Sequence, residues 1–183
     1  MPDIVDLIMA DHVRIRELFR ELCDAAVSAI KAGPERVGTT WAALDALLQM
    51  HMDAAEEIAY PVLTSGTIRE PGRAAELAAD HLDIREALDE ARIHPAGSAL
   101  WWLAVRAALT AAISHVDAVE SGPLSAYRRE ASPRAREALG AQWVAFVTAR
   151  TRDADPSPDG RAGPPAPFGQ RLQAGDTVGA GGE

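Results

Sequence analysis

Four of the five histidines in this chain fall on apolar helical patterns, and two of them open the same short motif. The motif His-x-Asp-x-x-Glu occurs at residues 51–56 and again at residues 115–120. The four histidines are His12, His51, His81 and His115. Burying an imidazole without a partner costs about 1–3 kcal/mol, and a shared metal site removes that cost because the ring nitrogens become ligands. We therefore predict a metal site, with four separately hydrogen-bonded core histidines as the alternative.

The two glutamates of the repeated motif are candidate ligands. Glu56 and Glu120 each lie five residues after the motif's histidine. Five residues turn about 500° on an α-helix, so each glutamate would be about 140° away from its histidine on a straight helix. A π-bulge, or a helix that ends at this point, would turn the carboxylate towards the histidine face. On that basis both glutamates join the predicted metal ligands.

The apolar residues recur every three or four positions in four long segments, which predicts four helices. The first begins with Asp3 as N-cap and ends before Gly33-Pro34, the second begins near Thr39 or Thr40, and the fourth has Ser98 as N-cap. No strand pattern competes. The expected fold is an all-α, antiparallel up-down four-helix bundle in which the four histidines can lie in one layer.

A fifth helix and a tail follow the bundle. Ser132 and Pro133 form a helix start, and this additional C-terminal helix ends near Arg152 and should cover one flank or end of the bundle. Residues 1–152 are thus one helical domain. Residues 153–183 are rich in Pro and Gly, and we expect a flexible, disordered tail because it cannot bury enough apolar area. Trp101-Trp102 is expected to pack on the fifth helix or in a dimer contact, which leaves a homodimer open.

Composition excludes several classes of protein. The net charge is −9 with scattered basic residues, which argues against nucleic acid as a partner. The most apolar run, residues 98–115, is interrupted by Arg106 and falls short of the roughly 20 residues of a membrane span. Cys23 is the only cysteine, so there is no internal disulfide. We expect a cytoplasmic protein that is not bound to a membrane.

Four stretches of the sequence resemble the hemerythrin-like, or HHE cation-binding, family. They are DHVRIRELFREL (11–22), HMDAAEEIAYPVL (51–63), DHLDIREALDEA (80–91) and HVDAVESGPL (115–124). The resemblance covers about residues 3–150, and the C-terminal helix is similar to that of an actinobacterial-type branch. It implies a four-helix bundle that holds a non-heme di-iron pair, bridged by carboxylates.

The resemblance also implies a ligand set: His12, His51, His81, His115 and Glu120. The chain departs from the family pattern at two positions, since Ala55 stands where a bridging glutamate is usual and Leu77 where a further histidine is usual. The remaining set could hold one metal. Two metals would need exogenous ligands or a contribution from Glu56, Tyr60 or Glu76.

By resemblance, the expected function is that of an iron protein that binds or reacts with a small molecule such as dioxygen, peroxide or nitric oxide. Two alternatives stay open. One is a metal-depleted scaffold that binds a partner or a small organic ligand. The other is an iron-dependent oxidative enzyme with an organic substrate. Bound metal separates the scaffold from the two iron-dependent functions.

Overall fold

The structure is a computed structural model that describes residues 1–27, 29–63 and 73–154. The described part is helical throughout, with short connections, and contains no strand. All but the first two residues of the predicted tail at 153–183 lie outside the described residues. The all-α prediction is confirmed.

Four long helices form the bundle. They are α1 (Ile4–Val27), α2 (Ala29–Ala54), α4 (Arg73–Arg92) and α5 (Ala99–Val119), with the short α3 (Tyr60–Leu63) and α6 (Ser125–Glu130) near two of their ends. A π-helical segment, Ala55–Ala59, joins α2 to α3, and a second one, Glu120–Leu124, joins α5 to α6. α1 packs mainly against α2, and α4 packs mainly against α5. The bundle is thus two helical hairpins placed side by side.

The predicted helix boundaries hold at some ends and not at others. Asp3 accepts a hydrogen bond from the backbone N–H of Val5, and Ser98 accepts one from that of Trp101, so both caps are confirmed. The start of α2 was predicted wrongly, because helical backbone begins at Ala29 and continues past Gly33-Pro34. Tertiary context can override the low helix propensity of Gly and Pro.

The fifth predicted helix is α7 (Pro133–Ala154), and Ser132 caps it by accepting from the N–H of Ala135. It packs against α1, α2 and the first π segment, which confirms that it covers one flank of the bundle. Trp101 does not contribute to that contact. Its ring lies edge-on to Trp41, 5.4 Å away, so the predicted packing of Trp101 on the fifth helix is wrong.

Two apolar clusters fill the bundle. One contains Ile15, Leu48, Ile84 and Ala112, and the other contains Ile8, Ala55, Leu77 and Val119. Each of the four long helices contributes to the first cluster on one side of its histidine, and residues on the other side of that histidine belong to the second. The histidine layer is therefore enclosed between two apolar layers.

One helical stretch in the described part, Ala99–Glu130, is long and apolar enough to cross a membrane by length and composition alone. The core helix of a soluble protein passes the same test. Here the inner face of α5 buries Val105, Ala108 and His115 in the bundle. This stretch is weak evidence for a membrane span.

Candidate metal centre

One buried histidine from each long helix meets the others in a single layer. His12, His51, His81 and His115 are each exposed by 3 % or less. The ring centroids of His81 and His115 lie 4.4 Å apart, and those of His12 and His51 lie 5.0 Å apart. The single layer expected from the sequence is present in the structure.

Tyr60 joins two of these histidines at the centre of the bundle. Its hydroxyl oxygen lies 2.9 Å from Nε2 of His81 and 2.9 Å from Nε2 of His115. The two Nε2 atoms lie 3.0 Å from each other. Three donor atoms from two hairpins thus form a nearly equilateral triangle in a buried position.

The outer nitrogen of every histidine in the layer faces a carboxylate. The Nδ1 atoms of His12 and His81 lie 3.0 Å from Glu120 and 2.8 Å from Glu56. The Nδ1 atoms of His51 and His115 lie 3.2 Å from Asp11 and 3.1 Å from Asp80. A neutral imidazole donates from one nitrogen only, and a carboxylate can only accept. The proton therefore sits on Nδ1, and the lone pair is on Nε2.

With this tautomer, the three atoms of the Tyr60 triangle share one proton, that of the hydroxyl. Both Nε2 atoms carry lone pairs, and the Tyr60 hydroxyl can donate to only one of them. Two lone pairs then face each other across 3.0 Å in a buried place. A cation at the triangle would be bound by all three atoms and would remove the repulsion between the two lone pairs.

The π segments bring the glutamates into reach. Each π segment begins four or five residues after the motif's histidine and adds a residue to the turn, as the sequence allowed. The carboxylates of Glu56 and Glu120 are turned towards the layer, but each contacts the outer nitrogen of a histidine on another hairpin. Their role as metal ligands stays a prediction. In the structure they orient His81 and His12.

Two arginines hold these glutamates in place. Arg16 contacts Glu120 at 2.8 Å and Asp117 at 2.9 Å. In the other half, Arg85 contacts Glu56 at 2.7 Å and Asp53 at 3.0 Å. The hydrogen bond to the glutamate is the main reason that the pKa of each arginine is raised.

Four residues of this outer shell were not singled out from the sequence: Asp11, Arg16, Asp80 and Arg85. A signal for them exists, because Asp-His-x-x-Ile-Arg occurs at residues 11–16 and again at residues 80–85. This second repeat contacts the His-x-Asp-x-x-Glu repeat. The histidine and the arginine of each Asp-His-x-x-Ile-Arg segment contact the glutamate of the other hairpin. Its aspartate contacts the second histidine of its own hairpin.

Burial keeps three of the four histidines neutral. Burial, followed by the neighbouring histidines, lowers the pKa of His12 and of His81 from 6.5 to about 2. Burial also lowers the pKa of His115, against the opposing effect of the hydrogen bond that its Nδ1 donates to Asp80. The pKa of Tyr60 is raised, mainly by burial and then by the charge of Glu56. Neutral imidazoles with free Nε2 lone pairs are the form that binds metal ions.

One of the other two histidines, His12, carries a different irregularity. Nε2 of His12 is buried and has no hydrogen-bond partner among the residues that the structure describes. An unsatisfied buried nitrogen costs about 1–3 kcal/mol. A cavity of about 230 Å³ lies beside this half, lined by Val5, Met9, Glu120, Leu124, Ser125 and Arg128.

The two residues that depart from the family pattern lie in apolar surroundings. Ala55 and Leu77 are both buried in the second apolar cluster. Glu76, considered as a substitute ligand, has a side chain that is 65 % exposed and paired with Arg73. It does not replace a missing histidine in this conformation.

The two histidine nitrogens and the Tyr60 oxygen have a spacing that suits a metal cation. Among the described residues, no group of three or more His, Cys, Asp or Glu side chains is arranged to hold a metal ion. The Tyr60 triangle contains only two such side chains. Metal–nitrogen bonds of about 2.0–2.1 Å at right angles place neighbouring ligand atoms about 3.0 Å apart. The sides of 2.9, 2.9 and 3.0 Å match this spacing.

Comparison with known proteins agrees with this geometry. The family model described as the hemerythrin HHE cation binding domain matches residues 3–121, which include all four histidines and Tyr60. Neither the curated proteins nor the solved structures contain a match to the chain.

Proposed function

Because the chain belongs to the hemerythrin HHE cation-binding domain family, we propose that it holds non-heme iron in its histidine layer and binds or reacts there with a small molecule such as dioxygen, peroxide or nitric oxide. The observation that carries the proposal is the Tyr60 triangle, with more lone pairs than protons. The same reasoning favours a cation over four core histidines that satisfy one another.

The proposed ligands are Nε2 of the four histidines and the Tyr60 oxygen. Two imidazoles and one oxygen on one face of an iron resemble the facial arrangement of many non-heme iron sites, with a phenol in place of the usual carboxylate. Tyrosine oxygen ligates iron in other proteins as well. The set differs from the one expected from sequence, since Glu56 and Glu120 act through His81 and His12. Iron would supply the electron exchange with the bound small molecule.

The protein's own residues prepare the site in three ways. The carboxylates fix the tautomer and ring orientation of each histidine, as outer partners of metal-bound histidines commonly do. The two apolar clusters limit water on either side of the layer. Trp143 of α7 packs edge-on against the His51 ring, 5.7 Å away, and closes the flank. A bound cation would favour the phenolate form of Tyr60, with its proton released to solvent, whereas the raised pKa of Tyr60 keeps the hydroxyl protonated without one.

A scaffold that binds a small organic ligand instead of a metal is a second candidate. The cavity beside Leu124 and Glu120 is the observation that favours it. We also propose that the protein is cytoplasmic, since it has a single cysteine and no need of disulfides.

The test is iron content and absorption after anaerobic reconstitution with iron(II) and exposure to air. Iron bound at one or more equivalents per chain, with a visible phenolate-to-iron(III) band, is expected. Tyr60→Phe should remove the band. Tyr127→Phe is the matched control, because Tyr127 is the only other tyrosine and lies in the apolar core. A folded protein that binds no iron would overturn the proposal and leave the organic-ligand scaffold.

A further inference from the structure

The layer is built from two copies of one half-site. The segment at 11–16 corresponds to that at 80–85, and the motif at 51–56 corresponds to that at 115–120. The contacts repeat in the same way. His81–Glu56 and Arg85–Asp53 in one half match His12–Glu120 and Arg16–Asp117 in the other. These matched contacts define an internal two-fold relation that exchanges α1 with α4 and α2 with α5.

Two equivalent positions break this symmetry. Tyr60 follows His51 by the same number of residues as Leu124 follows His115, and each lies at the end of its π segment. Tyr60 contacts the histidines of α4 and α5. The two-fold relation places residue 124 against the corresponding histidines of α1 and α2, which are His12 and His51. Leu124 is buried, and its side chain offers no polar atom.

The consequences of the break are visible on the Leu124 side. Within the described part of the chain, Nε2 of His12 has no hydrogen-bond partner, whereas Nε2 of its counterpart His81 contacts the phenol. The cavity of about 230 Å³ is lined by Leu124 and Glu120. One half thus has a protein oxygen at the histidines. The other half has an unpartnered nitrogen, and the glutamate that contacts the same histidine at Nδ1 lines a cavity.

We propose that residues 60 and 124 decide, half by half, whether the protein or an exogenous small ligand completes the metal site. This inference rests on the proposed function. Tyr60 closes the half formed by His81 and His115. Leu124 leaves the half formed by His12 and His51 open to a small anion or neutral molecule that enters from the cavity.

An exchange of the two side chains tests the inference, with azide as the probe ligand on the iron(III)-loaded full chain. In Leu124→Tyr, a second phenolate should raise the phenolate-to-iron band about twofold, and azide affinity should fall by about tenfold or more. Leu124→Phe, with similar bulk and no hydroxyl, should leave the band unchanged. Tyr60→Leu should lose the band and bind an additional azide. The double variant Tyr60→Leu/Leu124→Tyr should regain the band.

The outcomes separate the two proposals. If the wild-type chain binds no iron, the proposed function fails and this inference fails with it. If iron binds but the double variant lacks the band, and Tyr60→Leu binds no more azide than the wild type, the inference alone is overturned. Tyr60→Leu keeps the test decisive even if Leu124→Tyr does not fold.

Discussion

Gly140 should be indispensable to the contact between α7 and the bundle. A Cβ atom at this buried position would lie 2.1 Å from the carbonyl oxygen of Pro2 and 3.1 Å from the backbone nitrogen of Ile4. Both are backbone atoms, so no side chain can rotate out of the way. Gly140→Ala must therefore move α7 away from the start of α1.

The expected loss follows from terms of opposite sign. Alanine is favoured over glycine inside a helix by about 1 kcal/mol. Forcing extra atoms into a packed site costs about 1–3 kcal/mol. The shift also strains the Asp3 cap of α1, which makes a 2.7 Å ion pair with Arg136 of α7 and is worth about 1 kcal/mol as a cap. We expect a net destabilisation of about 1–3 kcal/mol.

Gly38→Ala is the matched control. Gly38 lies in α2, and a Cβ there would meet nothing within 4 Å. The same substitution should therefore stabilise the protein by up to about 1 kcal/mol. Urea unfolding followed by circular dichroism measures both, and Gly140→Ala should lower the midpoint by about 0.5–1.5 M. Because Trp143 follows one turn after Gly140 and covers His51, Gly140→Ala should also lose iron faster to a chelator. Equal midpoints for the two variants would refute this reasoning.

Further predictions concern the histidine layer and one helix start. The native pKa of His12 and His81 is lowered to about 2, so the unfolded chain takes up these protons first. The free energy of unfolding of the metal-free protein is therefore highest above about pH 6.5. It decreases as the pH is lowered, by roughly 2 kcal/mol per histidine at about pH 5; urea midpoints that stay constant over this range would contradict it. Glu56→Ala removes the acceptor of His81 Nδ1 and should weaken iron binding by about 10–100-fold, whereas exposed Glu57→Ala should not. Ser98→Ala should cost about 1 kcal/mol in thermal or urea unfolding, through loss of the α5 cap.

The sequence predicted the helices and the histidine layer because both depend on periodicity. His12 and its three counterparts sit on apolar faces with neighbours three and four residues away, and that spacing fixes which face is buried. The π segments could be anticipated only as one alternative. A five-residue interval is out of phase on an α-helix, and the interval itself does not say whether the helix bulges or ends.

The outer shell could not be predicted from periodicity. Arg16 and Glu120 lie on different hairpins, and their contact depends on how α1 crosses α5. A charged residue on the flank of a helix is usually solvated, so nothing in its own segment marks Arg16 as a partner of the site. The repeated Asp-His-x-x-Ile-Arg segment carries that information only when it is compared with its second copy.

The charge distribution gives an independent reason to expect a cation. Three of the histidines at the centre, His12, His81 and His115, are neutral, because burial lowers their pKa. Around them, carboxylates outnumber the guanidinium groups of Arg16, Arg85 and Arg150 that pair with them. A neutral interior within an acidic shell has a negative potential, and protonation of the histidines does not relieve it near neutral pH. A metal cation bound by the Nε2 lone pairs would relieve this negative potential. The layer is therefore better suited to a metal than to protons.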